Sequence, residues 1–185
     1  IDQINSRFLM GLDGLSLPLL ALTLLIVPLV VIYSWNHVPD PGNHKAFFIL
    51  MLILETGMIG SFLAQDLVLF FVFFEVVLLP MYFLIGVWGG PERKYASIKF
   101  FIYTLLGSAL MLVAFVAVYF LVKNPVTGEA IQTFSIPELK AAGGEGITRA
   151  AQVVIFGGMF MGFGIKVPMF PFHTWLPDAH TQAPT

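Results

Sequence analysis

The chain has 185 residues, 58% of them hydrophobic and only 11% charged, with a formal net charge of −2 and a mean hydropathy of +0.89. Soluble domains carry about 25% charged residues, so there is too little charge here to coat a soluble globule. The absence of cysteine excludes a disulfide scaffold and thiolate-held zinc or iron–sulfur groups, and the lack of any basic block excludes a nucleic-acid footprint.

The apolar residues come in runs of roughly twenty, the length that crosses a bilayer. They define an all-α integral membrane fold, a polytopic bundle of about five transmembrane helices in one domain over residues 1–185. The first span covers about 16–35. Asp13-Gly14 precedes it as a turn and cap signal, Pro18 sits in its first turn, Pro28 kinks it, and Trp35 marks the interface. A loop rich in turn residues, Asn36 to Lys45, leads to the second span at 46–64. Gln65-Asp66 reads as a minimal turn before the third span at 67–88, which Pro80 can bend and Gly89-Gly90-Pro91 ends. The densest charged patch, Glu92-Arg93-Lys94, precedes the fourth span at 95–122.

A polar connection over 124–149 follows, with a short helix expected after Ser135-Ile136-Pro137-Glu138. The fifth span, 150–172, is expected to break near Pro168 and Pro171. Gly158 and Gly162 stand at the small-xxx-small spacing of a helix-packing face. The short loop carrying Arg93 and Lys94 is assigned to the cytoplasmic side, because the positive-inside rule works best on short loops. The chain begins at Ile1 and stops at Thr185, straight after a polar stretch, and reads as an internal piece of a longer polytopic protein.

Four ionisable residues fall inside these spans: Glu55, Glu75, Lys99 and Lys166. A charge at mid-bilayer costs about 3 kcal/mol on insertion scales, so such residues pair, face a wet cavity or exchange protons, and are functional by default. Glu75 is flanked on both sides by aromatic and aliphatic residues. Its alternative is a structural anchor between helices. Lys166 lies two residues before Pro168, where a broken helix creates a polar pocket. Its alternative is an ammonium that snorkels to the interface. Lys99 lies close enough to the end of its span for the same alternative, and Glu55 has no obvious partner in the sequence. Two acids and two lysines within spans make a proton-relay composition. Depth counting leaves Lys99 and Glu75 offset by roughly 9 Å on neighbouring helices, a gap the long lysine side chain partly closes, and the poorly screened interior makes the two expected electrostatic partners with or without direct contact. The histidines sit in loops or beside prolines, which argues against a haem or metal site.

Three stretches carry a family resemblance. They are Phe74-Glu75-Val76-Val77-Leu78-Leu79-Pro80-Met81-Tyr82, Tyr95-Ala96-Ser97-Ile98-Lys99-Phe100-Phe101-Ile102-Tyr103, and Gly164-Ile165-Lys166-Val167-Pro168-Met169-Phe170-Pro171-Phe172-His173-Thr174-Trp175-Leu176-Pro177-Asp178-Ala179-His180-Thr181-Gln182-Ala183-Pro184-Thr185. Together with Asp13-Gly14-Leu15-Ser16-Leu17-Pro18 they resemble the antiporter-like membrane subunits of respiratory complex I, NADH:quinone oxidoreductase, with the flavour of the bacterial M type.

The resemblance implies most of one repeat of an inverted-repeat, antiporter-like fold in a bacterial cytoplasmic membrane. It implies a proton half-channel centred on Glu75 and Lys166, with Lys99 tuning the glutamate; Glu55 is added from its position alone. No cofactor is expected in this chain, because the complex it resembles holds NADH, flavin, iron–sulfur clusters and quinone in other subunits. The implied partners are those membrane subunits, the lipid bilayer and protons, with no nucleic acid. The alternatives are a subunit of a multisubunit cation/proton antiporter and a purely structural membrane module.

Overall fold

The structure is a computed structural model that describes residues 4–184; Thr185, which closes the third motif, lies outside them. Among the described residues eight α-helices follow in order: α1 Ser16–Ser34, α2 His44–Leu63, α3 Leu67–Val76, α4 Leu78–Trp88, α5 Arg93–Leu121, α6 Ile136–Ala142, α7 Arg149–Lys166 and α8 Trp175–Gln182. A single turn of 3-10 helix, Phe172–Thr174, precedes α8. Among the described residues four helical segments are long and apolar enough to cross a membrane: α1, α2, α3 with α4, and α5. The 18 residues of α7 are bounded by Arg149 and Lys166 and hold four glycines, which lowers their hydropathy below that of the other four.

The segments alternate between two faces. Trp88 donates its indole N–H to the carbonyl of Gly42 (2.6 Å), which joins the α1–α2 loop to the end of α4 on one face. On the opposite face Asp66 is completely buried. Its Oδ1 accepts from the Ser6 hydroxyl and from the amides of Val68 and Leu69, and its Oδ2 accepts from the amide of Arg7. The carboxylate thus caps α3 and ties down the N-terminal segment. Backbone bonds from Gln65 to Leu9, Leu67 to Phe134 and Ile136 to Gln65 gather three extended segments around it.

α3 and α4 form one span interrupted at Val77. Pro80 lacks an N–H and its ring crowds the carbonyl four residues back, Val76, so the regular ladder fails just above it. α5 and α7 pack most extensively. A Cβ on Gly162 would lie 2.6 Å from Met111 Cβ and 2.9 Å from the Gly107 carbonyl, and one on Gly158 would lie 3.1 Å from Ala114 Cβ. The small residues therefore let the two backbones touch, which in lipid is the main source of helix adhesion.

Candidate functional site

α7 stops at Lys166 because Pro168 cannot continue its ladder. The Gly164 carbonyl, deprived of Pro168, takes the amide of Met169 (2.7 Å). The Ile165 carbonyl takes the indole N–H of Trp175 (2.8 Å) from the first residue of α8. This leaves the Lys166 side chain at a free helix end, inside the protein and beside the interruption between α3 and α4.

There Lys166 Nζ donates to the Phe74 carbonyl (2.8 Å), stands 3.4 Å from the centroid of the Phe74 ring, and lies 3.5 Å from Glu75 Oε1. The Lys166 and Glu75 side chains are 17% and 20% exposed. Glu75 Oε1 makes no hydrogen bond among the described residues. Its contact with Lys166 is an ion pair without hydrogen-bond alignment, and the ammonium keeps its bond for the backbone. Phe70, Phe74 and Phe163 form an aromatic wall beside the pair, with ring centroids 5.2–6.1 Å apart.

Lys99 belongs to a different pair. Its Nζ lies 2.6 Å from Asp178 Oδ2 and 5.3 Å from the centroid of Tyr95. The ion pairs are Glu75 with Lys166 and Lys99 with Asp178, so the expected coupling of Glu75 to Lys99 has no direct contact behind it. The physical reason is the break after Lys166, which carries α7's terminal ammonium to Glu75 and lays α8 along the first turns of α5. Two signals could have found Asp178: it is an acid inside a motif that leaves a membrane helix, and it lies three residues after Trp175, on the same helical face. Trp175 packs on Phe100, the neighbour of Lys99, at 5.3 Å. Glu55 is half-buried on α2 and forms no ion pair or hydrogen bond among the described residues. His173 Nδ1 is buried without a partner, beside the Phe170 ring. Among the described residues no group of His, Asp and Glu could hold a metal ion.

Residues 64–185 match the family model described as NADH:quinone oxidoreductase/Mrp antiporter, transmembrane. The chain belongs to that family. Residues 2–61 match a second model, NADH-ubiquinone oxidoreductase chain 4, amino terminus. The chain is 46% identical over 181 residues to NADH-quinone oxidoreductase subunit M of Rhodobacter capsulatus, covering 97% of this chain and 35% of the relative. Among solved structures it resembles a chain of respiratory complex I from Thermus thermophilus with bound NADH. That match has a TM-score of 0.74 and 33% identity, and covers 94% of this chain and 34% of that one. It also resembles a chain of the Mrp complex from Dietzia, with a TM-score of 0.60 and 27% identity, over 87% of this chain and 29% of that one. The chain thus spans about a third of the length of these family members.

Proposed function

We propose that the chain forms a proton-relay element in the membrane part of an NADH:quinone oxidoreductase, with Glu75 and Lys166 as the pair that exchanges protons. The carrying observation is the 3.5 Å approach of Lys166 Nζ to Glu75 Oε1 at two interrupted helices. At an effective dielectric of about 20 the attraction is on the order of 4 kcal/mol, while each desolvated ion loses several kcal/mol of hydration. Charged together, the two nearly balance. Drawn apart, each is left as a lone charge in an apolar wall, and the way to remove it is a proton taken up by Glu75 or given up by Lys166. A separation of a few ångströms thereby becomes a proton transfer. The helix boundaries at Val77 and Val167 are where such a movement would be taken up.

Lys99, neutralised by Asp178, takes an indirect part by fixing α8 and the field around Lys166. Glu55 stands outside the pair. NADH, flavin, iron–sulfur clusters and quinone belong to other subunits in this reading, which supply the driving energy; the lipid bilayer and those membrane subunits are the partners. A cation/proton antiporter reading is supported by the likeness to the Mrp complex. The match of the N-terminal third to a chain 4 model favours the oxidoreductase.

The test is Glu75→Gln in the full-length protein within its complex. Glutamine keeps the shape but cannot ionise. Proton translocation in sealed vesicles is expected to disappear while the complex still assembles. Translocation at the wild-type rate in assembled complex would refute the relay, and uptake that follows sodium without NADH would assign the antiporter instead.

A further inference from the structure

Away from the Glu75–Lys166 pair, two cavities meet at Lys94. One, of about 810 Å3, opens at the membrane boundary between the α1–α2 loop and the α4–α5 turn, where Trp88 and Tyr95 stand at the level typical of interfacial aromatics. Its charged lining is Asp40, Glu92, Arg93 and Lys94, two acids and two bases. The other, of about 330 Å3, is a cleft between the last turns of α4 and the first turns of α5, lined by Tyr82, Phe83, Gly86, Val87, Ser97 and Ile98. Lys94 lines both.

The cleft is built for hydrocarbon. Residues 82, 83, 86 and 87 share one face of α4, and 94, 97 and 98 share one face of α5. Of its two side-chain hydroxyls, those of Tyr82 and Ser97, the Ser97 Oγ is already spent on the Lys94 carbonyl (3.1 Å). At Gly86 the missing side chain leaves the floor open; a Cβ there would meet Ser97 Oγ at 3.2 Å. The boundary cavity is built for a small group of mixed charge. Arg93 is partly occupied by the Gly89 carbonyl (3.3 Å), whereas Lys94 is exposed at the junction with no hydrogen-bond acceptor for its ammonium among the described residues.

We propose that these two cavities are one phospholipid site. The acyl chain fills the α4–α5 cleft, the phosphodiester sits on Lys94, and a zwitterionic ethanolamine headgroup places its ammonium toward Glu92 and Asp40. A lysine at the mouth of an apolar cleft matches a phosphate at the head of an acyl chain. The balanced lining matches a headgroup carrying both signs better than one with a net negative charge.

The experiment uses membranes containing the full-length protein in its complex. They are supplied with phosphatidylethanolamine bearing a photoactivatable diazirine on one acyl chain, or with the matching phosphatidylglycerol, then irradiated, digested and mapped by mass spectrometry. The ethanolamine lipid is expected to form adducts within residues 82–98 and to exceed the glycerol lipid there. Lys94→Glu is a surface change that leaves the helices intact and should lower those adducts at least about fivefold. Gly86→Leu, which fills the cleft, should remove them while adducts elsewhere on the complex persist. Equal labelling of wild type and Lys94→Glu, stronger labelling by the glycerol lipid, or a protein segment cross-linked to 82–98 in place of lipid would each overturn the proposal.

Discussion

Lys99 and Asp178 are 79 residues apart in sequence and 2.6 Å apart in space. The pair closes α8 onto α5 one turn beyond the point where Trp175 bonds the Ile165 carbonyl, so the geometry of the break after Lys166 depends on it. Asp178 is held at one end of this clamp. At the other end, Gln182 accepts the amide of Gly90 on its carbonyl (2.8 Å) and that of Glu92 on its Oε1 (3.0 Å).

A charge swap separates a clamp from a relay. Lys99→Asp and Asp178→Lys are each expected to lower proton translocation severalfold, as two like charges face each other, though less than Glu75→Gln does. The double variant restores the pair with reversed polarity and should recover most of the rate. Effects that add as free energies, with no recovery, would show that the two residues are uncoupled.

Helix adhesion at Gly162 gives a stability prediction. Gly162→Ala drives a methyl to 2.6 Å from Met111 Cβ, and such overpacking costs about 1–3 kcal/mol. The assembled complex should lose thermal stability and accumulate less, while Gly157→Ala, with no atom near its Cβ, should not.

Glu55 offers a contrast within the same protein. Its carboxyl has no partner among the described residues and does not meet the Lys166 ammonium. Glu55→Gln should therefore change the translocation rate by no more than about twofold, less than half a kcal/mol of activation free energy. A loss comparable to that of Glu75→Gln would bring Glu55 into the relay.

Asp13 governs the start of α1 in a pH-dependent way. Its Oδ1 accepts from the Ser16 amide (2.7 Å) and from the Leu15 amide (3.0 Å). The Ser16 backbone bond first, then the Ser16 side chain and the Leu15 amide, hold the carboxyl below its ordinary value of 3.8. A depressed folded-state value stabilises the first turn fully above 3.8, and the contribution fades as pH falls through the lower value. Hydrogen exchange at Leu15 and Ser16, corrected for its intrinsic pH dependence, should show protection steady from neutrality to about pH 4 and falling below it. Asp13→Asn should flatten that profile.

The helical membrane fold was legible because spanning runs need only length and hydropathy, and because Gly158 and Gly162 carry their packing role in their spacing. Glu75 and Lys166 were legible as charges where charge is expensive. Their mutual contact was not, since it depends on the Pro168 break delivering a helix end at the depth of the Val77 interruption. Counting residues along the helices couples Lys99 to Glu75, and has no means of placing α8, and hence Asp178, against α5. Asp66 looked like half of a two-residue turn. Its burial depends on two segments remote in sequence: residues 6–7, which bring two donors to the carboxylate, and 134–136, which bond the backbone on either side of it.

That same carboxylate gives α3 unequal ends. One is pinned by the Asp66 carboxylate to the N-terminal segment, with the 134–136 stretch bonded to the backbone on either side of it; the other passes into α4 at Val77. Glu75 rides nine residues from the pin, about 13 Å along the axis. A rocking of roughly 10° about the Asp66 end would sweep the carboxyl by about 2 Å. A displacement of that size is comparable to the gap that separates a touching ion pair from a parted one.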